Sequence, residues 1–128
     1  EKNYVVVSAR FAFEKGDADQ IRGRMDELAK ARREKQPLEF PSAGSTFKRP
    51  EGYFAGKLIQ DAGLKGYTVG GAQVSEKHSG FVINRGGATA EEVVFLIKQV
   101  QKKVMKQFNV MMQPEVRFIG FTDTEVRE

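Results

Sequence analysis

The chain has 128 residues, 40% hydrophobic and 30% charged, so it fits a single soluble domain with one modest core. Ten Phe exclude a wholly disordered chain, no apolar run reaches the roughly 18 residues of a membrane helix, and Glu1-Lys2-Asn3-Tyr4 does not start a signal peptide. The absence of Cys and a single His, His78, exclude disulfides, thiolate or histidine metal sites and a Ser-His triad, while a net charge of +4 suits a small anionic partner rather than nucleic acid.

Tyr4 to Phe13 is rich in β-branched and aromatic residues and predicts a strand. So few polar groups imply that both its faces are covered or that it lies beside another domain. Asp17 and Gln20 have capping-box spacing, and Ile21, Met25 and Leu28 follow at helical intervals, predicting a helix over about 18–33. Arg22, Arg24, Arg32 and Arg33 on its other side read most simply as a solvated face.

From Glu34 to Gly52 the pattern breaks. Pro37, Pro41 and Pro50 forbid a regular helix, and Ser42-Ala43-Gly44-Ser45-Thr46 is small and polar. A loop this long in a small domain is often functional. Its Ser42-Ala43-Gly44-Ser45-Thr46-Phe47-Lys48-Arg49-Pro50 stretch brings hydroxyls, backbone amides and two cations together. That is either a plain Ser/Gly/Pro loop with snorkelling cations or a seat for an anionic ligand.

A short helix follows over about 53–62, with Phe54, Leu58 and Ile59 inward and Gly63 closing it. Ala72–Ser75 and Gly80–Asn84 read as two strands of a hairpin joined by Glu76-Lys77-His78-Ser79. Gly86-Gly87 precedes the next helix and reads as a plain turn. Thr89 and Glu92 form a second capping box, and Val93, Ile97, Val100, Val104 and Phe108 carry the clearest helical period in the chain. Lys98, Lys102, Lys103 and Lys106 lie off that stripe, on a solvated face. Pro114 introduces a last strand, Glu115–Phe121, with Glu115, Arg117 and Ile119 on one face and Val116 and Phe118 on the other. The expected fold is a single α+β domain over residues 1–128, a small mixed sheet packed with about three helices. Neither standard nucleotide-phosphate fingerprint occurs.

Three segments taken together carry a resemblance. Ser42-Ala43-Gly44-Ser45-Thr46-Phe47-Lys48-Arg49-Pro50 with the residues on to Ile59, Gly70-Gly71-Ala72-Gln73-Val74-Ser75, and Pro114-Glu115-Val116-Arg117-Phe118-Ile119-Gly120 resemble the substrate-domain signature of the UDP-N-acetylenolpyruvoylglucosamine reductases. The order matches over nearly the whole chain. The resemblance implies a C-terminal substrate-binding domain whose FAD-binding region is not on this chain, and which is inactive alone. It implies FAD and NADPH as cofactors, UDP-N-acetylglucosamine enolpyruvate as substrate, the FAD-binding region of the same polypeptide as partner, and a place in bacterial peptidoglycan synthesis in the cytoplasm. Neither nucleic acid nor membrane is an expected partner.

In that family a hydride reaches the terminal vinyl carbon, and the enolate left behind takes a proton from the second Ser of the motif, here Ser45. The glutamate of Pro-Glu-Val-Arg, here Glu115, assists. The resemblance also assigns substrate contacts to Lys35, Gly44 and Arg49, and Arg117 either pairs with Glu115 or touches substrate, the pair being favoured. Arg49 stands where another branch of the family has Asn, and that branch's closing tyrosine has no counterpart. The competing expectation is a nucleotide-sugar-binding module of the same fold that has lost its chemistry. The retention of both Ser45 and Glu115 argues against it.

Overall fold

The carboxylate of Asp17 accepts the backbone N–H of Gln20 at 2.8 Å, satisfying one of the orphan donors that every helix start exposes. From there α1 runs Ala18–Lys35, as its spacing indicates. The computed structural model describes residues 5–121. The chain divides into two compact units, Glu1–Ala31 and Arg32–Glu128.

In the first unit the strand expected over 4–13 is not formed across residues 5–13, and Tyr4 lies outside the described residues. Val5, Val6, Val7, Phe11 and Phe13 are exposed, the two rings stacking at 6.0 Å. No described strand pairs with this stretch. Strand propensity expresses itself only against a neighbour that completes the ladder. Ile21, Met25 and Leu28 do fall on one stripe of α1 but stay at least half exposed.

The second unit holds β1 (Ser42–Ser45), α2 (Ala55–Asp61), β2 (Thr68–Val69), β3 (Ala72–Val74), β4 (Phe81–Asn84) and α3 (Ala90–Phe108). The α+β class and the three helices agree with the sequence. The sheet order is β1-β4-β3-β2, and every pairing is antiparallel rather than mixed. Residues 5–13 form no strand, and residues 115–121 do not join the sheet. Part of the supposed loop over 34–52 is itself an edge strand, β1, and β2 forms where only turn glycines were legible.

A register shift separates the pairs Ser42↔Ile83 and Ser45↔Phe81. Gly44 sits in it at φ +85°, the left-handed backbone that a bulge of this kind asks of glycine. Beyond Ser45 the chain makes one bridge, Phe47↔Pro114, and Glu115 gives its N–H to the Thr46 carbonyl at 2.9 Å. The strand expected over 115–121 then fails. The adjoining edge is bulged, and a bulge ends pairing. Its side-chain alternation survives: Val116 and Phe118 pack on the core while Glu115, Arg117 and Ile119 are exposed.

α3 carries the capping box foreseen: Thr89 Oγ1 accepts from Glu92 N and the Glu92 carboxylate accepts from Thr89 N. Its apolar stripe covers β2 and β3 and touches α2. Leu96, Val100 and Val104 are fully buried there, as are Leu64, Ala72 and Met112. Each large side chain buried so completely contributes about 1.5–3 kcal/mol. Leu58 and Ile59 of α2 reach the same core, but Phe54 does not. Phe54 is the N-cap residue, with extended φ −110° and ψ 122°, so its ring lies off the helix's inward face.

Candidate ligand cleft and its serine

The bulge delivers Ser45 to one wall of an open cleft of about 440 Å³ between α2 and the turn joining β3 to β4. Thr46, next to it, locks that wall. Its N–H bonds the Gly80 carbonyl at 2.9 Å, and its buried Oγ1 accepts the Val82 N–H at 2.9 Å. The exposed Ser45 hydroxyl is therefore carried on a backbone pinned on both sides.

Arg49 enters the cleft from the loop before α2. Its Nε donates to the Tyr53 carbonyl at 3.2 Å, and the guanidinium lies 4.0 Å over the Phe54 ring, which also lines the cleft. Lys57 from α2 and Lys77 from the β3–β4 turn complete three cations, and no carboxylate lines the cleft among the described residues. Lys57 is tied to both oxygens of Asp61 at 2.9 Å, one helical turn on. Lys77 reaches away to Glu39, at 3.3 and 3.5 Å. Glu39 sits below the ordinary glutamate value of 4.5, chiefly through a hydrogen bond from its own backbone N–H, against a desolvation penalty and with Lys77 helping.

The turn that walls the cleft is built on Ser75, whose buried Oγ accepts the N–H groups of both Lys77 and His78. His78 Nδ1 accepts the Gly80 N–H at 3.1 Å, and the ring meets Phe81 edge-on at 5.0 Å. Gly56 and Gly80 make room for it: a Cβ on Gly80 would stand 2.9 Å from His78 Cε1. Ser79 Oγ is buried without a hydrogen-bond partner.

Of the residues singled out from sequence, Ser45 and Arg49 share this cleft. Gly44 shapes the strand behind it. Glu115 gives its N–H to the Thr46 carbonyl, one residue from Ser45, but is not among the residues lining the cleft. Lys35 ends α1 and is not among the residues lining the cleft. Arg117 forms no ion pair with Glu115; it lines an apolar groove with Val116, Phe118 and Val94. Lys57, Lys77 and His78 were not singled out as site residues. His78 and the pair Gly56 and Gly80 were the signals available, but nothing local connects α2 to a turn more than 20 positions on.

Fold and cleft define a class: an α+β domain with an open cleft lined by a serine and cations. The family profile described as UDP-N-acetylenolpyruvoylglucosamine reductase, C-terminal domain, matches residues 36–119, and the chain belongs to that family. It is 65% identical over 120 residues to the reductase of that name from Clostridium botulinum (strain Alaska E43 / Type E3), covering 94% of this chain and 40% of that protein. The same-named protein of Agathobacter rectalis is 64% identical, with 94% and 38% covered. The crystal structure of UDP-N-acetylenolpyruvylglucosamine reductase from Thermus caldophilus superposes with a TM-score of 0.64 at 37% identity, over 80% of this chain and 36% of that one. The chain thus spans about two fifths of the length of these curated relatives. No described helix is long and apolar enough to cross a membrane.

Proposed function

We propose that this chain is the C-terminal substrate-binding domain, over residues 1–128, of a reductase that converts UDP-N-acetylglucosamine enolpyruvate to UDP-N-acetylmuramate for the bacterial cell wall, in the cytoplasm. The observation that carries the reading is the bulge at Gly44, which sets Ser45 on the wall of a cleft with three cations and, among the described residues, no carboxylate. A nucleotide sugar is anionic at its diphosphate, and cations in a partly enclosed hollow favour such a ligand.

Reduction of the enolpyruvyl double bond requires a hydride, which FAD renewed by NADPH supplies when bound. In this reading the flavin is held by a region outside this chain, and the cleft serves the nucleotide sugar. Here Ser45 Oγ gives its proton to the carbon adjacent to the one that receives the hydride. Surrounding cations lower the cost of the serine alkoxide. Glu115, one residue along the neighbouring backbone, assists that proton transfer. Arg49 binds the diphosphate with charge, and Gly44 lets the strand approach the ligand. Lys35 and Arg117 contribute to substrate binding only after the ligand or the rest of the enzyme closes over them.

The test is Ser45→Ala in the full-length enzyme. The expected result is loss of UDP-N-acetylmuramate formation with UDP-sugar binding retained, read by NMR titration. Loss of binding in parallel with turnover would reduce Ser45 to a binding residue and overturn its role as proton donor.

A further inference from the structure

The three cations of the cleft are not held alike. Lys57 is anchored by two short bonds to Asp61 on its own helix, and Arg49 by its Tyr53 carbonyl and the Phe54 ring. Lys77 is held instead from outside its own turn, by a carboxylate 38 positions away at 3.3 and 3.5 Å. Charge-assisted bonds at their best are about 2.7–2.9 Å. Its side chain stands between two hollows: the cleft with Ser45, and a second one lined by Glu39, Phe40, Gln73 and Arg85. The ammonium is bonded on the Glu39 side. An exposed ion pair of this kind contributes little, so exchanging Glu39 for a doubly charged group costs little. Lys has the rotamers to make that exchange.

Resting on the reading that a nucleotide diphosphate enters this cleft, we infer that Lys77 is a diphosphate-binding residue and that Glu39 is its built-in competitor, setting the affinity by holding the ammonium out of the cleft. Glu39 acts through Lys77 and touches no ligand itself. Its carboxyl lies below the ordinary value of 4.5, so the competition operates across the neutral range.

The experiment is an NMR titration of this 128-residue chain with UDP, with uridine and with inorganic pyrophosphate. UDP and pyrophosphate are expected to shift cleft residues, and uridine far less. Glu39→Gln should tighten UDP roughly two- to fivefold, the size of an exposed ion pair. Lys77→Met should weaken it roughly tenfold, as loss of a charge-assisted bond does. In the Lys77→Met background, Glu39→Gln should change nothing. Glu76→Gln removes the same charge from the residue next to Lys77 and should leave UDP affinity within about a factor of 1.5. Glu39→Gln without effect, or tightening equally with Lys77 absent, or matched by Glu76→Gln, overturns the competition while leaving the cleft assignment standing. Uridine binding as tightly as UDP, or no shifts at millimolar ligand, overturns the cleft assignment and the competition together.

Discussion

The carboxylate of Glu92 accepts the backbone N–H of Gly71 at 3.0 Å, tying the first turn of α3 to the β2–β3 hairpin. The same oxygen accepts the Thr89 N–H at 3.1 Å. These two bonds, from Gly71 first and Thr89 second, hold Glu92 below its ordinary value of 4.5, with desolvation opposing. A depressed carboxylate adds stability above its unfolded value, and that stability is lost as pH falls through the lower folded value. Glu92→Gln is therefore expected to unfold at a lower temperature than wild type at neutral pH, with the gap closing below pH 4.5. Thermal unfolding of both proteins down a pH series measures this; a gap that widens in acid contradicts it.

Thr46 makes a second cross-chain tie, through Oγ1 to the Val82 N–H at 2.9 Å in the buried sheet. Thr46→Val keeps the shape and strands that donor. The expected cost is about 1–3 kcal/mol in denaturant unfolding. Since Thr46 also fixes the backbone beside Ser45, cleft resonances should shift in the same variant.

Two buried serines of one turn should behave oppositely. Ser75 Oγ accepts two backbone N–H groups, so Ser75→Ala should cost about 1–2 kcal/mol. Ser79 Oγ has no partner, so Ser79→Ala loses no bond and removes a desolvated hydroxyl. That variant should be neutral or more stable by up to about 1 kcal/mol. Unfolding midpoints of the two variants side by side decide it, and a loss at Ser79 equal to that at Ser75 would show a partner for its hydroxyl.

Elements governed by neighbours in sequence were legible: the Asp17 cap, the Thr89–Glu92 box, the α3 stripe and the hairpin of β3 and β4. What depends on distant partners was not. Residues 5–13 have the composition of a strand but no described ladder to join, and residues 115–121 keep strand alternation while the bulge denies them pairing. Phe54 reads as helical by spacing, yet as N-cap it turns its ring to Arg49. The candidate site shows the same division. Ser45 and Arg49 share a short motif and a cleft, whereas Lys77 and His78 belong to what reads as a plain turn. They become cleft wall only because the glycines at 56 and 80 let α2 and that turn come close. Glu115 and Arg117 keep the shared exposed face that their spacing indicates, without forming the expected ion pair.

Glycine positions give the sharpest contrast between local and distant causes. Gly71 has no strained backbone angle, but a Cβ there would stand 2.5 Å from both Ala88 N and Gly86 O. Both are backbone atoms of the turn leading into α3, which is itself held by Asn84 Oδ1 accepting from Gly86 and Ala88 at 2.8 and 3.2 Å. Neither can retreat without breaking those bonds or the one from Gly71 to Glu92. Gly71→Ala should cost about 3 kcal/mol or more by overpacking. Gly23, inside α1, has nothing within 4 Å of its would-be Cβ. There the only change is relief of glycine's excess backbone freedom, so Gly23→Ala should stabilise that helix by about 0.5–1 kcal/mol. Circular dichroism melts of the two variants test both signs at once. A mild effect at Gly71 would mean that the β2–β3 hairpin and the start of α3 do not meet as closely as 2.5 Å requires.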